Sequence, residues 1–397
     1  MKTMFSLSLA VTMAPLAVAK NDQPPFQPAT ATYVVETFAQ GLEVPWSIVW
    51  TSPERMLVAE RPGRVRQVVG GVLSSEPVYV VPNIRARGGE IGLMGMCVHP
   101  DYAANKSVYL AFGFQETKED GTKVTDIRVQ RFTDTGSSLQ AGPVIINIQP
   151  VGGNHAGCRV AFGPDKKLYI TTGEAFKRNF AKDMTSLGGK ILRVNDDGSV
   201  PADNPFTGEA DKAKGVRGEI WSFGHRNPQG IDWQPGTGLL FETEHGPSGE
   251  NGFGGDEFNF VEKGKNYGWP DIHHAETKEG MVSPLIVWDP AIAPASGAFY
   301  NADVFPDLKG NYLVGMLGGL GGAPRPGLVR IVLEGTKVVR HERLLTDVGR
   351  VRCVAVGPDG NIYVSTSNKD GRGRSPGEND DRILRLVPQK PATEKKP

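Results

Sequence analysis

Residues 152–174 read GGNHAGCRVAFGPDKKLYITTGE. Residues 160–162 and Leu168–Thr172 are short runs of strand type. They are joined by Gly163-Pro164-Asp165-Lys166-Lys167, where proline presets φ and the aspartate returns a hydrogen bond to its own backbone. Just ahead of the first run stands His155, within Gly153-Asn154-His155-Ala156-Gly157. A hairpin of structural character therefore carries a titratable ring at its entrance. Recurrence of that unit decides the fold, and the polar groups at its entrance decide the chemistry.

The unit does recur. Residues 47–50 pair in pattern with 56–59, 97–101 with 107–112, 231–235 with 238–241, 299–307 with 311–315, and 354–360 with 362–366. Each copy is an apolar strand, a Pro/Asp/Gly turn and a second strand of β-branched and aromatic residues. With the opening copy there are six, roughly 50–70 residues apart, the signature of a radial or stacked array. One small sheet cannot bury both of its faces alone, whereas six around an axis can. The expectation is an all-β, six-bladed β-propeller over residues 32–388. A β-sandwich with coincidental turns is the alternative. The long Gly-, Asp- and Asn-rich spacers 117–125, 196–215 and 244–269 are expected at the rims and mouth of the axis.

Bulk composition agrees with a globular β protein. The 397 residues are 39% hydrophobic and 22% charged, and Gly 50 and Pro 30 favour turns over long helices. Lys+Arg and Asp+Glu balance at 44 each, which sets aside nucleic acid and anionic membranes as partners. Residues 1–19 have the form of an export signal: Lys2, an apolar run interrupted by Pro15, then Ala17-Val18-Ala19. No other run is long and apolar enough to span a bilayer, so a periplasmic or secreted protein is expected. Residues 20–31 are Pro-rich and expected to be loose, and 389–397 to form a disordered tail. Cys97, Cys158 and Cys353 are too few and too scattered for a disulfide framework and read as buried thiols.

Polar residues beside glycines cluster at strand ends: His155, the segment Gly224-His225-Arg226-Asn227-Pro228-Gln229-Gly230, Glu244-His245-Gly246-Pro247, Asp256-Glu257, Asn266-Tyr267-Gly268-Trp269 and Gly349-Arg350-Val351-Arg352. Taken singly, each has a bland reading as a turn residue or an inter-blade ion pair. Arg350 and Arg352 point the same way along a strand, and two guanidiniums on one face require an anion such as a polycarboxylate or phosphate.

The ordered series GGEIGLMGMCVHPDY, GGNHAGCRVAFGPD, EIWSFGHRNPQGIDW, TEHGP, GGDEFNF, KNYGWP, APASGAFY and GRVRCVAVGPDGNIYV resembles the soluble PQQ-dependent glucose/sorbosone dehydrogenases, in particular the aldose sugar dehydrogenase branch. That family is a six-bladed propeller. The resemblance implies a sugar dehydrogenase that oxidises the C1 hydroxyl of aldoses to lactones, with PQQ and Ca²⁺ as cofactors, an external electron acceptor, and a monomer or homodimer. It implies that His155 is the general base, taking the anomeric proton as hydride leaves C1 for the quinone, and that Arg226 stabilises charge growing on the quinone oxygens. Asn227 and Gln229 match residues that orient cofactor or substrate, and Arg350 and Arg352 match the pair gripping PQQ carboxylates. Gly246 and Pro247 match carbonyl ligands of the cofactor calcium, and Glu257 and Tyr267 match a second, structural calcium site.

Two positions depart from the family pattern. Glu90 stands at a cofactor-contacting position where Gln is common, with Arg85 or Arg87 expected to neutralise it. The family's cofactor-binding Lys falls on Gly318, with Arg325 the nearest replacement cation. These departures keep open a ligand-binding propeller without catalysis. A calcium-dependent lactonase is a further alternative, one that would need carboxylate and Asn ligands converging on the axis.

Overall fold

Strands in this chain are apolar at successive positions because both of their faces are covered. In Arg55–Glu60, Leu57 and Ala59 pack towards one neighbouring sheet, while Met56 and Val58 pack towards the other. Leu168 and Ile170 likewise face one way and Tyr169 the other. Side chains alternate along a strand, so a sheet buried on both faces needs apolar residues throughout.

The computed structural model describes residues 26–28, 31–87, 89–249, 251–318, 324–373 and 375–389. They form six antiparallel blades. The innermost strands, in order, are Pro45–Ser52, Leu93–Val98, Gly157–Phe162, Pro228–Trp233, Pro294–Phe299 and Val351–Val356. Each contacts the innermost strand on either side, and the last contacts the first, closing a ring. All six sequence hairpins are the two inner strands of a blade. The fold is therefore the six-bladed β-propeller that the repeats predict.

Six hydrophobic clusters occupy the six interfaces between consecutive blades. The interface between blades 4 and 5 is aromatic, with Tyr312 meeting Phe258 at 5.0 Å and Phe299 at 4.8 Å between ring centroids. At about 2–5 kcal/mol per buried Leu, Ile or Met truncated to Ala, cohesion is spread around the ring rather than concentrated in one core. Blade 6 closes the ring: the N-terminal strand Tyr33–Gln40 pairs with Arg382–Pro388, and Arg385 Nη2 meets Glu36 Oε2 at 2.6 Å.

The loose segment expected at 20–31 needs correction in part. Phe26–Pro28 adds a parallel strand to the outer edge of blade 5, because the Phe26 ring stacks on His341 at 4.2 Å. Residues 1–25 and 390–397, which hold the expected signal and nearly all of the expected tail, lie outside the described residues. Cys97, Cys158 and Cys353 are buried free thiols. Among the described residues, no helix is long and apolar enough to cross a membrane.

Candidate active site

The residues just before each innermost strand and just after its partner strand meet at one end of the axis. In blade 3 the register pairs Gly157 with Thr172. His155 lies two residues before the first and Glu174 two residues after the second, so the hairpin itself sets them opposite each other. Their side chains are in short contact, His155 Nδ1 to Glu174 Oε1. A carboxylate on Nδ1 fixes the tautomer that carries its proton there and leaves Nε2 as the basic nitrogen. The His155 backbone is left-handed, φ 53°, and its N–H donates to Glu90 Oε2 at 3.1 Å. Strain of this kind persists only where the surroundings fix it, and it concentrates at functional sites. Phe176, largely exposed, lies on the imidazole with ring centroids 3.9 Å apart.

Glu90 is the hub of a network that crosses the axis. Asn227 Nδ2 donates to its Oε2 at 3.1 Å and Gln229 Nε2 to the same oxygen at 3.3 Å. Arg352 Nη1 donates to Gln229 Oε1 at 3.1 Å, and Arg372 Nη1 stands 3.5 Å from Glu90 Oε1. Blades 2, 3, 4 and 6 are thereby joined across the opening. Burial opposes ionisation of Glu90, but His245, His155, Arg372 and Arg352 outweigh it and hold the pKa at about 2. The partner of this carboxylate is thus Arg372, not Arg85 or Arg87: the latter lie nearby in sequence, but the ring brings blade 6 to it through space.

Arg226 is buried on the same side. Its N–H donates to Glu244 Oε2 at 2.9 Å, its Nη1 to the His245 carbonyl at 3.1 Å, and its guanidinium lies over Trp269 at 5.4 Å. The Arg226 carbonyl accepts the Glu174 N–H at 3.0 Å, which seats it against the His155 pair. Gly246 and Pro247 follow directly, with the Gly246 N–H held by Asp256 Oδ1 at 2.8 Å.

Arg350 and Arg352 share Asp370. Arg350 Nε donates to its Oδ2 at 2.9 Å, and Arg352 Nη2 lies 3.8 Å from the same atom. Arg61 lies within the field of Asp370 and Arg372 and donates to the Gly89 carbonyl at 2.8 Å. Four guanidiniums, of Arg61, Arg350, Arg352 and Arg372, thus surround two carboxylates, of Glu90 and Asp370. Among the described residues, Arg352 Nε finds no acceptor although it is buried. Burial pushes this guanidinium down to about 9 despite Asp370. The end of the axis is therefore short of negative charge, and a bound polycarboxylate would supply it.

Behind Arg226 lies the opposite imbalance. Glu242, Glu244 and Glu257 are buried together, with Asn259 Nδ2 donating to Glu242 Oε1 at 2.7 Å and to Glu257 Oε2 at 3.0 Å. Burial, followed by mutual repulsion, raises the pKa of Glu242 and of Glu257, and burial raises that of Glu244. Ligand atoms of His225, Glu242 and Glu244 lie within 4.8 Å of one another, and Tyr267 stacks on His225 at 4.6 Å. Glu242 Oε2 and Asn259 Oδ1 have no hydrogen-bond partner among the described residues. Such oxygen-rich, anion-heavy surroundings suit a hard divalent cation.

The sequence-derived residues His155, Arg226, Asn227, Gln229, Glu90, Arg350 and Arg352 therefore come together, and Glu257 and Tyr267 lie in the acidic cluster behind them. Arg325 does not join them: its Nη1 is paired with Asp347 at 2.8 Å on the exposed side of a cleft. The sequence reading gave no role to Glu174, Phe176, Asp370, Arg372 or Arg61. Glu174 was within reach, since counting outward from the hairpin turn sets it opposite His155. Spacer 196–215 packs at the other end of the barrel, where the Asp196 carbonyl accepts the Tyr109 hydroxyl at 3.2 Å.

The glucose/sorbosone dehydrogenase family model matches residues 42–384. The aldose sugar dehydrogenase of Escherichia coli strain K12 is 34% identical over an alignment covering 86% of this chain and 92% of that protein. The PQQ-bound aldose sugar dehydrogenase structure from Streptomyces coelicolor aligns with a TM-score of 0.74 at 32% identity, covering 92% of this chain and 99% of that one. A structure from Thermus thermophilus, titled an oxidoreductase of glucose dehydrogenase type, aligns with a TM-score of 0.79 at 40% identity, covering 89% and 100% of the two chains.

Proposed function

The chain belongs to the glucose/sorbosone dehydrogenase family, and we propose that it is a periplasmic or secreted, PQQ- and calcium-dependent enzyme that oxidises the C1 hydroxyl of aldoses to the lactone. The observation that carries this reading is the meeting of His155–Glu174 with a surplus of guanidiniums at one end of the axis. The base and the polyanion-binding groups stand side by side, as oxidation of a neutral sugar on an anionic quinone requires.

The residues present fit both groups. Arg352, buried and short of acceptors, suits a carboxylate of PQQ, and Arg350 beside it suits a second. Bound PQQ supplies the quinone that receives the hydride from C1. His155 Nε2 takes the proton of the C1 hydroxyl, and Glu174 stabilises the imidazolium that forms. Arg226 offers a fixed positive charge where negative charge develops, and it needs no reorganisation to do so. Asn227 and Gln229 are already locked by Glu90 and hold their orientation before ligand arrives. The Gly246 and Pro247 carbonyls hold the cofactor calcium, and Glu257 with Tyr267 the second ion. The electrons then pass to an external acceptor.

The test is reconstitution. Purified protein given PQQ and Ca²⁺ should bleach a dye acceptor in the presence of aldoses. Absence of both dye reduction and PQQ binding would reject the reading.

Calcium removal has a separate expected outcome. A carboxylate whose folded pKa is raised binds protons in the native state before it does in the unfolded one. Its ionisation therefore costs stability as pH rises through the window between the ordinary value, near 4.3, and the raised one. Chelation at pH 7.5 should lower Tm by about 5 °C, from about 2.7 kcal/mol of lost binding at a hundredfold ligand excess. Calcium, but not magnesium, should restore it. At pH 5, where Glu242, Glu244 and Glu257 hold protons, chelator and calcium should both move Tm much less. Equal chelator effects at both pH values would remove the cluster as the ion site.

A further inference from the structure

Gly318 stands where the resemblance places the family's lysine, and the structure leaves no room for one. Its φ is +81°, and a Cβ there would lie 2.8 Å from Pro326 Cγ. Arg325 is held away by Asp347. Gly318, Arg325 and Arg350 line a cleft of about 530 Å³, and so does another guanidinium, that of Arg372.

Arg372 is placed by the same carboxylate that organises the buried arginines. Its N–H donates to Asp370 Oδ1 at 3.0 Å, while Asp370 Oδ2 takes Arg350 Nε at 2.9 Å. From there the side chain reaches across the opening, with Nη1 3.5 Å from Glu90 Oε1 and Nη2 donating to Asn154 Oδ1. It is 37% exposed, whereas the side chains of Arg350 and Arg352 are 9% and 4% exposed. Arg372 is thus the guanidinium at the surface of the cationic cup and the one that an entering anion meets.

Resting on the PQQ reading above, we propose that Arg372 is the cofactor-gripping cation of this enzyme: it binds a carboxylate of the quinone in place of the missing lysine, and Glu90 is its counter-ion in the free protein. The two departures from the family pattern then belong together. A carboxylate at position 90 is compatible with a tricarboxylate ligand because a guanidinium stands between them. A guanidinium suits the task, since its planar fork offers one edge to Glu90 and another to the ligand.

The test is a double-mutant cycle read by calorimetric titration of apo-protein with PQQ, so that turnover plays no part. Arg372→Ala should weaken PQQ binding by about 10- to 100-fold, the range for a lost hydrogen bond to a charged group. Arg372→Gln should fall between alanine and wild type. The loss should persist when both variants are made in a Glu90→Gln background. If it vanishes there, Arg372 only neutralises Glu90 and the assignment is wrong. Unchanged affinity in Arg372→Ala with Glu90 intact would overturn it as well. Wild-type protein that binds no PQQ would overturn the underlying reading, and this one with it. Melting curves of the apo-variants, expected near wild type for an exposed loop residue, separate loss of affinity from loss of fold.

Discussion

His155→Ala should lower kcat by about 10³-fold, within the 10²–10⁴ range that a positioned acid–base group supplies, while PQQ affinity stays within a few-fold of wild type. The separation follows from which atoms do what. Glu90 is held by the His155 backbone N–H, not by its ring, so alanine keeps the hub that orients Asn227 and Gln229. The ring itself contacts Glu174 and Phe176, so its loss removes the base and leaves the cationic cup intact. Glu174→Gln is the companion variant. It keeps a hydrogen-bonding group on Nδ1 but withdraws the charge that stabilises the imidazolium, so kcat should fall about 10- to 100-fold with KM nearly constant. Steady-state kinetics on fully reconstituted enzyme, with PQQ loading measured by absorbance, reads both. Turnover in His155→Ala within tenfold of wild type would remove His155 as the base.

Fold and site differ in how much of them the sequence displays. The inner strand pairs are legible because Pro-Asp turns repeat at hairpin spacing and because burial on both faces makes every strand position apolar. The outer strands are not, since their exposed faces blur the pattern, as in Lys337–Thr346, where buried and exposed positions alternate. Site residues that abut an inner strand, such as His155, Arg226 and Arg352, carry local motif signal. Residues on the connecting loops do not. Asp370 and Arg372 sit in Asn368-Lys369-Asp370-Gly371-Arg372, which reads as a solvated turn. Only ring closure brings that turn within reach of Glu90, 282 positions earlier in the chain. The same long-range geometry defeats neighbour-in-sequence guesses, which is why Arg85, Arg87 and Arg325 are displaced as partners by a residue from another blade.

Asp370→Ala should destabilise the cofactor-free protein by about 3–5 kcal/mol, the cost of stripping a buried charge of its partner. The Asp370 side chain is 1% exposed and meets Arg350 and Arg352 through Oδ2, so its removal leaves two buried guanidiniums facing each other. Burial opposes ionisation of Asp370, but Arg350 and Arg352 more than compensate and lower its pKa. A depressed carboxylate contributes stability that is present above the unfolded value, near 3.9, and is lost only as pH falls below it through the folded value. The difference between wild type and variant should therefore be constant from pH 6 to 8 and close only in strong acid. Asp370→Asn, which retains hydrogen-bonding capacity without the charge, should fall between the two. A tricarboxylate that reaches the arginines would replace the missing charge, so PQQ should raise the variant's Tm by more degrees than it raises that of wild type. Thermal melts with and without PQQ decide the matter. A variant that melts with wild type would mean that water already compensates the arginines, and the cup would then lack the unmet positive charge on which anion binding there depends.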